Sequence, residues 1–121
     1  MSIDTALKEA MSLDGAIGVA LVDYESGMTL GSLGGGPELN LEMAAAGNTE
    51  VVRAKVRTLV SLGIQDSVED ILITLNRQYH LIRMLHTSGG SLFLYLAIDR
   101  QRGNLALARH YLRQIESSLQ L

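Results

Sequence analysis

Six glycines crowd into the stretch GVALVDYESGMTLGSLGGGPEL, Gly18 to Leu39, and the only proline of the chain, Pro37, follows the last of them. A glycine-rich loop that opens a helix commonly cradles phosphate, because backbone N–H groups converge there and the helix dipole favours an anion. A phosphate loop of the GxxxxGK[ST] kind needs a lysine and a hydroxyl residue after its last glycine. Here Gly36 is followed by Pro37 and Glu38. Proline removes an N–H, and glutamate repels an anion at a helix start. Dinucleotide spacing fails as well, because Leu39 stands where a third glycine would follow Gly34 and Gly36. The glycines are expected to form a flexible strand-to-helix connection, and no cofactor is expected.

The other reactive side chains are similarly scattered. His80 and His86 share one face of a strand but lie too far apart along it for one metal ion. His110 stands alone mid-helix. Asp23, Glu25, Asp66, Asp70 and Asp99 fall near strand ends and turns, where acids are common for conformational reasons. Ser61, Ser67, Ser88 and Ser91 lack the strand–turn–helix setting of a nucleophile. Neither a metal site nor catalysis is expected. Arg53, Lys55 and Arg57 are more informative, because Arg53 and Arg57 sit one turn apart on one side of a long helix. They suit either a solvated face complementing the helix C-terminus or a docking surface for an acidic partner.

The elements that must carry these residues follow from periodicity. Ile3, Ala6, Leu7, Ala10 and Met11 recur at helical spacing behind a Ser2 cap. AIGVALVDY and MTLGSLG read as two strands about an ESG turn. Gly18 and Ala20 bare one face of the first strand for close helix packing. A long helix of about seven turns is predicted from Pro37 to Leu62, with Leu41, Ala45, Val52, Val56 and Leu59 on one side and Gly63 as its cap. Three strands follow, EDILITLNR, YHLIRMLH and SLFLYLAID, broken at Arg77-Gln78 and at TSGG. The last is apolar on both faces and predicted central; the first is mixed, with Ile71, Ile73 and Leu75 alternating against Leu72, Thr74 and Asn76. A final helix starts at Asn104 and buries Leu105, Ala108, Leu112, Ile115 and Leu119.

The chain has 121 residues, a formal charge of −3, 47% hydrophobic residues and no cysteine. These values suit one domain over residues 1–121, without disulfides. The small charge argues against nucleic acid, and no apolar run of about 18 residues would insert in a membrane. The acid-bearing amphipathic N-terminus is unlike a signal peptide, so a cytoplasmic protein is expected.

The element order, together with GAIGVALVDYESGMTLGSLG, ILITLNRQYHLIRMLHTSGGSLFLYLAIDRQRGNLALARHYL and the Asn-Leu-Ala-x-Ala-Arg helix start, resembles the roadblock family, the dynein light chain roadblock type domain. The resemblance covers nearly the whole chain. It implies an α+β fold, α-β-β-α-β-β-β-α, in which a five-stranded antiparallel sheet is sandwiched between one long helix and two terminal helices. It also implies a homodimer joined through the long helix and the strand after it, here Val52, Val56 and Leu59 with Ile71, Ile73 and Leu75. Such proteins act as adaptors that regulate or scaffold a Ras-like small GTPase, with Arg53 and Arg57 as candidate docking residues. An edge strand at Ile71–Leu75 that pairs with its own copy also avoids an aggregation hazard. The alternative function is a small-ligand sensor of similar architecture, with a cavity beside Ala44, Ala45, Ala46 and Gly47.

Overall fold

The computed structural model describes residues 1–86 and 90–119. Its elements are α1 (Ile3–Met11), β1 (Ala16–Asp23), β2 (Met28–Gly34), α2 (Leu41–Leu62), β3 (Asp70–Thr74), β4 (Gln78–Leu85), β5 (Leu92–Asp99) and α3 (Leu105–Ser118). The strands form one antiparallel sheet in the order β2-β1-β5-β4-β3. Strand β5, apolar on both faces, is central, as its composition predicts, and the mixed β3 is an edge. The turn expected at TSGG lies mostly outside the described residues.

Each helix begins where a side chain can replace a missing backbone acceptor. Ser2, Asn40 and Asn104 accept the N–H of Thr5, Met43 and Leu107 respectively, each cap contributing about 1 kcal/mol. Alternation along the strands then builds two cores. Val19, Leu21, Leu81, Leu94 and Leu96 meet Leu7 and Ala10 of α1 and Ala108, Leu112 and Ile115 of α3 on one face. Ala20, Val22, Ile82, Phe93 and Tyr95 meet Leu41, Ala45 and Val52 of α2 on the other. Small residues let α2 approach. A Cβ on Gly18 would stand 3.0 Å from the Gly35 nitrogen and 3.1 Å from the side chains of Leu39 and Leu41.

Three sequence expectations need correction. The long helix starts at Leu41, not Pro37, and its 22 residues make about six turns. Pro37 and Glu38 instead occupy a small turn closed by paired bonds between Gly36 and Leu39, so neither stands at the helix N-terminus. The glycines before them make a corner. Gly34, Gly35 and Gly36 have φ of 75°, 77° and 143°, and a Cβ on Gly34 would lie 2.6 Å from the Ile17 carbonyl oxygen. The β3–β4 hairpin closes through the Leu75 N–H donating to the Gln78 carbonyl, which moves the break to Asn76-Arg77 and puts Gln78 in β4. Finally, the buried side of α2 stops at Val52. Val56 is exposed and Leu59 only half-buried.

Gly18→Val should lower stability by about 1–3 kcal/mol, because the added atoms press on Gly35 and on the start of α2. Urea denaturation measures the loss.

Candidate interaction surface

The first half of α2 belongs to the core: Leu41, Ala45, Asn48, Thr49 and Val52 are buried. Beyond Val52 the helix leaves the sheet largely uncovered. Val56 is 38% exposed, Val60 76% and Leu62 64%. One flank of this second half and strand β3 enclose an open groove of about 610 Å³, lined by Val51, Ala54, Lys55 and Thr58 of the helix and by Val68, Asp70 and Ile71 beside it. The helical lining recurs at three- and four-residue steps, so it forms one stripe. A smaller hollow of about 220 Å³ lies beside Tyr24, Val56, Leu59, Val60, Met84 and His86.

The groove ends at a strand edge with a definite hydrogen-bonding parity. The Met84 N–H donates to the Glu69 carbonyl and the Leu75 N–H to that of Gln78. With the β3–β4 register, in which Ile71 faces Ile82 and Ile73 faces His80, odd-numbered residues of β3 bond to β4. Asp70, Leu72 and Thr74 therefore present their N–H and C=O groups to the open side.

This edge is fastened from beneath. Arg109 on α3 donates from Nη2 and Nε to the two Asp70 oxygens at 2.7 and 3.1 Å. Arg83 donates from Nε and Nη2 to Glu116 Oε1 at 3.0 and 2.8 Å, and the other Glu116 oxygen accepts the His86 N–H at 3.0 Å. The Asp70 carboxylate raises the Arg109 pKa further above its ordinary value by hydrogen bonding and by charge. Removing one partner of the buried Arg83–Glu116 pair would strand the other charge.

On the α2 side a neutral polar chain crosses from helix to edge. Asn48 hydrogen-bonds Tyr95, the Tyr95 hydroxyl lies 3.1 Å from His80 Nδ1, and His80 Nε2 lies 2.8 Å from Gln78 Oε1. Burial pushes the Tyr95 pKa up to about 12 and holds His80 below its ordinary 6.5.

Among the described residues no group of three or more His, Asp or Glu side chains is arranged to hold a metal ion, and no helix is long and apolar enough to cross a membrane.

No protein-family model matches the sequence, and no curated protein does. Solved structures do match in shape. The roadblock/LC7 domain from Streptomyces avermitilis superposes with a TM-score of 0.81 at 13% identity, over 98% of this chain and 94% of that one. The chain has the roadblock fold. MglB of Myxococcus xanthus shares it at TM-score 0.82 and 16% identity, over 95% of this chain and 82% of that one. So does the gliding protein MglB of Thermus thermophilus, at 0.79 and 17%, over 95% and 83%.

The roadblock sheet places the sequence candidates unevenly. Ile71 and Ile73 are half-buried on the edge strand, and Leu75 is 41% exposed just past its end. Val52, at 1% exposure, lies inside the subunit's own core, and Val56 and Leu59 face the smaller hollow. Arg53 is a structural clamp: its Nε donates to the Tyr24 carbonyl at 2.8 Å, its Nη2 donates to the Glu25 carbonyl, and Nη1 meets Glu50 at 3.3 Å. Arg57 is exposed. Asp23 and Ser91 are joined by a 2.6 Å hydrogen bond that holds the Asp23 carboxyl below its ordinary value. Sequence reasoning missed Val51, Ala54 and Thr58, although the Val51-Val52 doublet marks a helix apolar on two flanks. The cluster of small residues at Ala44–Gly47 does not take part in the groove: Ala45 is packed on the sheet, while Ala46 and Gly47 face solvent.

Arg53→Ala should cost about 1–3 kcal/mol, since it frees two carbonyls from charge-assisted bonds. Arg57→Ala should stay within about 0.5 kcal/mol. Paired thermal melts separate the two.

His80 also gives a pH prediction. Its folded pKa is depressed, so the stability held by the neutral ring is complete above about pH 6.5 and is lost as pH falls through the lower folded value. Denaturant titrations at about pH 7.5 and pH 5 should show a smaller acid-induced loss in His80→Gln than in the wild type.

Proposed function

We propose that this chain is a non-catalytic cytoplasmic adaptor, folded as one domain over residues 1–121, that pairs with a second copy and regulates or scaffolds a Ras-like small GTPase. The observation that carries the pairing is the adjacency of two unfinished surfaces. The apolar groove between α2 and β3 runs into an edge strand whose outward N–H and C=O groups have no partner strand among the described residues. A two-fold axis through that edge would satisfy both at once, because each copy offers the same strand and the same groove. The junction would be formed by Ile71, Ile73 and Leu75 with Val51, Ala54 and Thr58. Val52 has no part in it, being already buried, while Val56 and Leu59 flank it.

Support for the GTPase partner is the fold shared with the gliding protein MglB and the resemblance of the sequence to adaptors of such GTPases. Arg57 is the docking residue proposed here; Arg53 is committed to the turn it clamps. An exposed arginine near an acidic switch region would act mainly through the rate of encounter.

Light scattering at micromolar concentration should give about twice the chain mass of 13.1 kDa. Ala54→Glu should yield folded monomers, because that side chain is exposed in the single subunit, with melting lowered only by the lost association and no longer dependent on concentration. A monomeric wild type overturns the pairing. For the partner, small GTPases of the same genome, loaded with GDP or a non-hydrolysable GTP analogue, are titrated against the dimer. Binding that depends on the nucleotide state supports the adaptor; absence of binding across the whole set overturns it.

A further inference from the structure

The face of the sheet opposite α2 carries a surface that neither the core nor the proposed pairing uses. We infer that the outer side of α3 is a second docking surface, and that it takes an acidic amphipathic helix of a partner protein. This surface is separate from the β3 edge and from the GTPase reading, because α3 and α2 pack on opposite faces of the sheet.

The charges of this region are unbalanced. From Arg100 to Ser118 there are four arginines and one acid, Glu116, in a chain whose formal charge is −3. That acid is not on the surface. Glu116 is buried and accepts from Nε and Nη2 of Arg83. Two of the arginines are engaged within the subunit. Arg109 holds Asp70, and Arg100 donates to the Leu75 carbonyl and lies over the ring of Tyr79. Arg102 and Arg113 stand exposed, as does His110. The outer side of α3 therefore presents positive charge and, among the described residues, no carboxylate of its own.

Beside these cations lie apolar groups that the fold leaves in water. Helix α3 buries Ala108, Leu112 and Ile115, yet Leu107 is 48% exposed and Tyr111 41%. Leu107, Tyr111 and Gln114 follow at four- and three-residue steps and form one stripe. His110 and Arg113 form the next stripe, and the His110 and Tyr111 rings meet edge-on with centroids 5.9 Å apart. Next to Tyr111 the surface is concave. A hollow of about 320 Å³ opens between α1 and α3, lined by Glu9, Tyr111, Gln114 and Ser117 among others. A helix laid along α3 would set an aliphatic anchor against Leu107 and Tyr111 and its carboxylates toward Arg113 and Arg102. Glu9 at the far wall repels acid on that side, which fixes the way round the partner lies. An anionic membrane would meet the same Glu9 as repulsion and leave the hollow unfilled, so a helix suits the surface better. With α2 turned to one partner and α3 to another, one subunit can hold two proteins at once.

The probe is a fluorescein-labelled synthetic helix of about 18 residues, long enough to stay helical, with leucine on one stripe and glutamate elsewhere. Its twin carries lysine for every glutamate. Fluorescence anisotropy should show the acidic helix binding, with affinity falling as salt rises, and the lysine twin not binding. Tyr111→Ala should raise the dissociation constant by about tenfold, and Arg102→Glu combined with Arg113→Glu by about tenfold or more. All three side chains are exposed, and thermal melts check that the variants fold. NMR amide shifts of the wild type should move at Glu9, Leu107, Tyr111 and Gln114 and stay still at Val51, Ala54 and Thr58. Equal binding of the two helices, no binding, wild-type affinity in the folded variants, or shifts centred on the α2 groove overturns the inference. So does sedimentation of the protein with vesicles of phosphatidylserine and phosphatidylcholine, which would make α3 a membrane-facing surface. A monomeric wild type would overturn the pairing at β3 and leave this surface standing.

Discussion

A five-stranded sheet has two apolar faces, and one of them has a single helix for cover. That shortage governs the rest of the molecule. On the other face α1 and α3 together close the core from Val19 across to Leu81 and Leu85. Opposite them α2 seals only the part near β1 and β5, through Leu41, Ala45 and Val52. Its second half continues over space it does not fill, and the deficit collects beside β3 as an apolar groove. Burying a large aliphatic side chain fully is worth about 1.5–3 kcal/mol. The half-buried Ile71 and Ile73 and the exposed Leu75 therefore represent stability that the lone subunit leaves unrealised.

The two faces also manage polarity differently. Under the sheet the polar groups are ionic: Arg83 with Glu116, and Arg109 with Asp70. Both pairs join α3 to the last strands, so the edge is held rigid by charges fixed on a helix. Over the sheet the polar groups are neutral, running from Asn48 through Tyr95 and His80 to Gln78. A neutral chain needs only satisfied hydrogen bonds to sit beneath a helix, whereas buried ions need close countercharges. The edge is thus braced by ion pairs on the α3 side, while under α2 the buried polar groups are neutral and Lys55 stands at the groove.

Much of this is legible in the residues. The caps Ser2, Asn40 and Asn104, the cap glycine Gly63 and the central position of β5, apolar on both faces, follow from local chemistry, and all carry the same message as the hydrophobic pattern. The start of α2 departs from expectation because proline suits a first helical turn; Asn40, three residues later, offers the side-chain acceptor that Pro37 lacks. Arg53 reads as a surface charge because nothing local reveals that the β1–β2 turn lies above it, a contact spanning 28 to 29 residues. The ion pairs of Arg83 and Arg109 are hidden for the same reason, although an arginine amid the apolar strand YHLIRMLH asks for a partner. The groove is the hardest feature to foresee. Periodicity shows which side of a helix is apolar, not how far along its length the sheet reaches.

The opposite border of the sheet has a consequence of its own. In β2 the register with β1 slips, with Leu21 facing Gly31 but Val22 facing Thr29, so Leu30 is left over as a bulge. Downstream the strand runs into the corner at Gly34–Gly36. A bulge interrupts the ladder and adds twist, which spoils a strand as a template. Each subunit thus owns one straight border and one crooked one. If two copies meet at β3 as proposed, the bulge and the corner leave the β2 border a poor template for adding a third.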